Sequence, residues 1–339
     1  MSSKIVNAYA AINAKGSLEP YSFELPEIGP DEVEIKIAYC GICHSDLSML
    51  NNDWGMTEYP FVPGHEIVGT VVQKGEHVKG VTIGDWVGLG WFSSSCMHCY
   101  QCISGSHHLC NNRGETIVGR FGGFADHVRC HWLWAIQLPK DLDVSKAGPL
   151  FCGGITVFNP IIKAGVKPTD RVGVIGIGGL GHLALQFLHH WGCEVTAFTS
   201  SPTKAEQAKA LGAQHVIDST DVSAMDKITR SFDFILNTTN VSLNWDAYLA
   251  VLSPKGVLHT VGAVLEPMAI PAFSLISGEK SVGGSPLGSP ALIHTMLDFC
   301  RRHNILPTTE EFALQDVNDA FEHLEAGKAR YRIVLKVSS

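Results

Sequence analysis

The chain has 339 residues, 45% hydrophobic and 17% charged, which is more than one ordinary core can hold and points to two globular domains. A net charge of −8 with no basic run argues against nucleic acid or an anionic membrane as partner. No stretch approaches the ~20 apolar residues of a membrane span, and Met1 to Ala10 holds no signal-length apolar block. Ten cysteines in such a chain suit a reducing, cytoplasmic setting and thiolate–metal use better than a disulfide framework. In chain order, Val33, Ile35, Ile37 and Tyr39 alternate with Glu34, Lys36 and Ala38, predicting a half-buried strand. Ile67 to Val72 and Trp86 to Leu89 are further short strands bounded by glycine, so the first part reads as β-rich. After residue 154 the texture changes. Arg171 to Ile175 is a buried strand. Leu180, Leu183, Ala184, Phe187, Leu188 and Trp191 then form one apolar helix face closed by Gly192. Glu194 to Phe198, Val216-Ile217, Asp233 to Leu236 and Gly256 to Val261 continue as strands, with a helix over Lys204 to Leu211. This alternation predicts a doubly wound α/β unit on a parallel sheet. The tail carries a helix from about Ala291 and a strand, Arg332 to Val337, expected to return to the first domain.

Cys96, Cys99, Cys102 and Cys110 follow the spacing C-x2-C-x2-C-x7-C. Four thiolates on short loops close a tetrahedral shell around Zn²⁺ with no open position, so the cluster staples a loop and does no chemistry. Reduced structural thiols or a disulfide pair are the competing readings. The nearby His98, His107 and His108 are read as bystanders because four cysteines complete the shell.

Gly176, Gly178, Gly179, Leu180 and Gly181 belong to a G-x-G-x-x-G turn that leaves a strand and opens a helix. Gly176 allows the tight turn, Gly178 lets a pyrophosphate approach, and Gly181 permits close helix–strand packing, with the phosphates at the positive helix end. The second strand then runs into Thr199, Ser200, Ser201 and Lys204, with no acid at Thr199 where an NAD ribose would need one. Hydroxyls and an ammonium suit a 2′-phosphate, so NADPH/NADP⁺ is the expected cofactor.

A second metal, a reactive one, is indicated by Cys43 in Cys43-His-Ser-Asp46 and by His65 in Gly64-His-Glu-Ile67. Spacing does not fix a third ligand. Cys152, at the expected domain border, is the best candidate, and Cys40 is a plausible decoy. Cys130, Cys193 and Cys300 read as core thiols, and His131, His189, His190 and His294 lack companion ligands.

Gly41-Ile-Cys-His-Ser-Asp46, Pro63-Gly-His-Glu66, the four-cysteine lobe, Phe151-Cys-Gly-Gly-Ile155 and Gly176 to Gly181 occur in this order. Across nearly its whole length the chain resembles the zinc-dependent medium-chain alcohol dehydrogenases. Within them it is most similar to the cinnamyl-alcohol-dehydrogenase branch and its bacterial NADPH-dependent, broad-range aldehyde reductases. The resemblance implies a GroES-like β-rich catalytic domain (1–153 and 291–339) and a Rossmann cofactor domain (154–290), with the active site in the cleft between them. It implies two zinc ions per chain. Cys43, His65 and Cys152 would bind the catalytic one, Glu66 would approach it during exchange, and Asp46 would orient His65. It also implies that Ser45 starts a proton relay, that His44 lies near the pyrophosphate, and that a homodimer forms through the last strands of the cofactor domain, around Val282. Trp54 and Trp91 resemble walls of the substrate channel, which would favour hydrophobic aldehydes over polyols. The family often carries a histidine five residues after the cysteine ligand, where this chain has Ser48.

The expected activity is reversible reduction of hydrophobic aldehydes to primary alcohols. Zinc would polarise the carbonyl, NADPH would give hydride, and Ser45 would give the proton. Oxidation of primary alcohols or polyols, hydrolysis at zinc, and a non-catalytic scaffold are the rival readings.

Overall fold

The computed structural model describes residues 4–221, 225, 228 and 230–337, so the ends of the first expected domain, 1–3 and 338–339, lie outside the described residues. The chain forms two compact units, one of Met1–Ile155 with Gly288–Ser339 and one of Thr156–Leu287.

The first unit is built on a seven-stranded sheet. Its centre is the strand Glu32–Ile42, whose neighbours Ile67–Lys74, His127–His131 and Arg332–Lys336 all run antiparallel to it. Val33, Ile35, Ile37, Cys40 and Ile42 are buried along this strand. The alternation placed Glu34 on a wet face, yet it is only 1% exposed. Arg129 stands directly opposite it in the register and meets its carboxylate at 2.7 Å and 2.9 Å, and Lys4 binds its other oxygen at 2.5 Å. A paired carboxylate can be buried where a lone one cannot. Arg332–Lys336 lies between Glu32–Ile42 and Thr309–Ala313, so the end of the chain is an interior strand of this sheet.

The second unit holds a six-stranded, wholly parallel sheet. Its spatial order is His215–Asp218, Glu194–Thr199, Arg171–Ile175, Phe232–Asn237, Leu252–Thr260, Ser281–Gly284. In order of appearance that is 3-2-1-4-5-6, the doubly wound arrangement that binds dinucleotides where the strand order reverses. The reversal falls between Arg171–Ile175 and Phe232–Asn237. The helix Gly181–Trp191 follows the first strand and ends at Gly192 with φ 106°, a left-handed conformation that glycine adopts without strain.

Candidate functional site

The strand Glu32–Ile42 stops at Cys43, which caps the helix His44–Asn51. The cap is reinforced by Asp46, whose carboxylate accepts the Cys43 N–H at 2.9 Å. The same carboxylate accepts the Gly64 N–H at 2.9 Å and lies 2.9 Å from His65 Nδ1. Asp46 thereby ties the two motifs together. Because a carboxylate accepts, Nδ1 is the nitrogen that donates to Asp46, and Nε2 is the one turned toward the sulfurs. That nitrogen faces Cys152 Sγ at 3.3 Å, and Cys152 Sγ is 3.8 Å from Cys43 Sγ. Donor atoms of Cys43, His65, Glu66 and Cys152 all lie within 4.8 Å of one another, and all four residues are buried. Of the two thiol candidates it is Cys152, not Cys40, that joins this group. Cys40 directs its Sγ at the Gly41 carbonyl, 3.7 Å away, and burial raises its thiol well above the usual range.

Glu66 is fully buried. Arg332, 266 residues away on the last strand, binds its Oε1, while Oε2 has no hydrogen-bond partner. Gly41 leaves room for this oxygen, since a Cβ at that position would collide with Glu66 Oε2 where it now lies. Burial raises the Glu66 carboxyl, and the Arg332 charge works against that. Of the two sulfurs, Cys43 ionises more readily, its anion stabilised first by the hydrogen bond from Cys152. Cys152 is raised by the same bond and by burial. Burial opposes a charge on His65, but Asp46 raises it above its ordinary value. These residues fit a zinc ion. Two sulfurs held about 2.3 Å from a tetrahedral centre would lie about 3.8 Å apart. An imidazole presenting Nε2 and an unsatisfied carboxylate oxygen, at a site with little access to water, complete a suitable donor set.

Ser45 is half-buried and His44 exposed in the first turn of the helix, and Ser48 is buried one turn on. Trp91 meets the His65 ring edge-on at 4.9 Å and the Trp54 ring at 6.1 Å, so both tryptophans belong to this neighbourhood.

The second donor set is Cys96, Cys99, Cys102 and Cys110, again with sulfurs within 4.8 Å and with no histidine among them. Cys96 Sγ lies 3.9 Å from Cys102 Sγ and accepts the Cys99 N–H at 3.3 Å. All four are free thiols, which leaves out the disulfide reading. The backbone N–H of His98, and then that of Cys99, lower the Cys96 thiol to about 6, which favours the thiolate a metal needs. Cys130, Cys193 and Cys300 are pushed up to about 12 by burial and join neither set.

In the second unit Gly176, with φ +85°, turns the chain between strand and helix. Gly178 has nothing within 4 Å of where a side chain would begin, and a side chain on Gly181 would collide with the Gly176 carbonyl. Thr199 ends the next strand, and its hydroxyl accepts the Ser201 N–H at 3.3 Å. Thr199, Ser200 and Ser201 line a cavity of about 340 Å³ together with Lys209 and Asp218. Lys204 is not among the lining residues. Asp218, which the spacing did not single out, pairs in register with Thr199 from the neighbouring strand.

Residues 29–140 match the alcohol dehydrogenase GroES-like domain, and residues 179–302 match the zinc-binding dehydrogenase domain. An aldehyde reductase of Synechocystis sp., AdhA, is 53% identical over 98% of this chain and 99% of its own. The chain belongs to the zinc-dependent medium-chain alcohol dehydrogenases. Among solved structures, a cinnamyl alcohol dehydrogenase of Sorghum bicolor superposes with a TM-score of 0.94 at 36% identity over 98% of each chain. That of Helicobacter pylori, solved in complex with NADP(H), gives 0.91 at 30% identity over 99% of each. This dehydrogenase is therefore an oxidoreductase of alcohols and aldehydes, with the GroES-like and Rossmann units that the motifs foretold. No described helix is long and apolar enough to cross a membrane.

Arg332 went unrecognised in the sequence, because nothing near it marks it. Only the pairing of its strand with Glu32–Ile42 carries it to the donor set.

Proposed function

We propose that this dehydrogenase reduces hydrophobic aldehydes to primary alcohols, reversibly, with NADPH, and carries two zinc ions per chain. The observation behind the reading is the buried meeting of Cys43, His65 and Cys152 beside an unpartnered oxygen of Glu66. Cys43, His65 and Cys152 would hold the catalytic ion, with Glu66 reaching it during ligand exchange, and the four-cysteine lobe would hold the structural one. The catalytic zinc supplies a Lewis acid that polarises a carbonyl, and NADPH supplies the hydride.

The remaining work falls to side chains. Asp46 fixes the tautomer and the orientation of His65. Arg332 compensates the buried Glu66 charge through one oxygen and leaves the other available. Ser45 donates the proton that completes the alcohol, and with Ser48 in place of a histidine the onward path runs through water or another group. His44, exposed beside the cysteine ligand, would bind the cofactor's pyrophosphate. Trp54 and Trp91 give apolar walls, which suit aliphatic or aryl aldehydes and leave the hydroxyls of a polyol without partners. The aldehyde reductase named among the relatives supports the substrate class.

For the cofactor, Ser200, Ser201 and Lys204 would hold the 2′-phosphate. The NADP(H) complex of the Helicobacter pylori relative supports this. Asp218 is the one carboxylate lining the cavity, but its oxygen is engaged by the Thr220 N–H and hydroxyl at 2.9 Å and 2.7 Å. We place the enzyme in the cytoplasm as a homodimer, joined through the edge strand Ser281–Gly284.

A panel of aldehydes assayed with NADPH and with NADH tests the reading. Faster turnover with NADPH, on apolar aldehydes above polyol oxidation, is the expected result. Preference for NADH removes the cofactor assignment, and ester hydrolysis without any dinucleotide would move the enzyme to the hydrolase class.

A further inference from the structure

The glycine turn is gripped from outside itself. Thr238 directly follows the strand Phe232–Asn237, which lies beside Arg171–Ile175 in the parallel sheet. Its N–H donates to the Ile175 carbonyl at 3.0 Å. Its hydroxyl stands 2.9 Å from that oxygen and 2.8 Å from the Gly176 carbonyl. A hydroxyl has one proton, so the two carbonyls share it. The same hydroxyl is 3.3 Å from where a Gly181 side chain would begin, so it lies under the first and last glycines of the turn together. On the helix side, the buried His182 brings Nδ1 to 3.1 Å from the Gly178 carbonyl.

A peptide unit is planar and trans, so its C=O and the next residue's N–H point in opposite directions. Holding the Gly176 carbonyl inward therefore turns the Ile177 N–H outward. Holding the Gly178 carbonyl does the same for the Gly179 N–H. Such N–H groups are what a glycine turn offers a phosphate. A turn already fixed in this geometry spares the ligand the cost of ordering it.

We propose that Thr238 is a positioning residue for the dinucleotide pyrophosphate, acting through the Gly176 carbonyl without touching the cofactor. The proposal rests on the reading that this turn binds a dinucleotide. It carries a distinctive consequence. NADPH and NADH share the pyrophosphate and differ only at the 2′-position, so loss of the Thr238 hydroxyl must weaken both by the same factor.

The test is a fluorescence titration of the zinc-loaded enzyme with each dinucleotide. Thr238→Val should weaken NADPH and NADH alike, by about three- to tenfold, the worth of one hydrogen bond. Thr238→Ser, which keeps the hydroxyl, should restore wild-type affinity for both. Lys204→Ala serves as the contrast and should weaken NADPH alone. Should the valine variant fail to fold, Thr238→Ala carries the same expectation. Equal binding by the wild type and the hydroxyl-free variant, or a loss confined to NADPH, overturns the proposal. Failure of the wild type to bind either dinucleotide would instead overturn the functional reading beneath it.

Discussion

At the scale of single residues, the donor set shows what local motifs can and cannot convey. Cys43 and His65 were legible because each sits in a short segment rich in ligand-type side chains. Cys152 was left open, since a lone cysteine in an apolar segment looks the same whether it binds metal or fills a core. The sulfur separation of 3.8 Å to Cys43 is what distinguishes it from Cys40. Arg332, Thr238, Lys209 and Asp218 had no sequence signal at all. Arg332, Thr238 and Asp218 matter through neighbours that only strand pairing brings near, whereas Lys209 reaches its cavity from the helix Pro202–Ala210. The residue-level prediction concerns Cys43. Cys43→Ala should abolish aldehyde turnover and lower the zinc content by one ion per chain, leaving the four-cysteine lobe loaded. Metal analysis beside the rate assay checks both parts, and full activity or an unchanged zinc content contradicts the assignment.

The elements were read well where periodicity is strong. The helix Gly181–Trp191 and the strand Arg171–Ile175 lie where the apolar pattern put them. The strand Glu32–Ile42 was read less well, since its alternation cannot reveal that Glu34 meets Arg129 across 95 residues. That pair gives a pH prediction. Burial alone would raise the Glu34 carboxyl, but hydrogen bonds and charge from Lys4 and Arg129 hold it below its ordinary value of 4.5. A carboxyl lower in the folded than in the unfolded state contributes stability above the unfolded value, and the contribution fades as pH falls through the folded value. Glu34→Gln should cost about 3 kcal/mol near neutrality, the usual penalty for breaking a buried pair. It should also flatten the fall in stability on the acid side of 4.5. Denaturant titrations over that range are the check, and parallel curves for variant and wild type would refute the role given to this pair.

At the level of the whole molecule, the parallel sheet could be foreseen from its strand–helix rhythm. The order 3-2-1-4-5-6 shows only in the folded sheet, because rhythm alone does not say on which side each new strand is added. The outermost strand, Ser281–Gly284, leaves one edge of that sheet open, and exposed strand edges are natural templates for pairing. Phe273 and Ile276, 80% and 69% exposed, precede this edge in the chain. The expected particle is therefore a dimer of the 36.7 kDa chain, and light scattering that reports the single-chain mass at all working concentrations would remove it.

The placement of Arg332–Lys336 inside the first sheet also bears on how the polypeptide matures during translation. Glu66 leaves the ribosome 266 residues before the guanidinium that neutralises it. Throughout that interval the nascent sheet lacks an internal strand, and the acid at its heart must stay hydrated or protonated. The Rossmann segment, whose six strands all come from one continuous stretch, has no such dependence and can mature while the amino-terminal half waits. A stop codon or frameshift ahead of Arg332 would thus strip Glu66 of its partner hundreds of positions upstream, while sparing every strand of the parallel sheet.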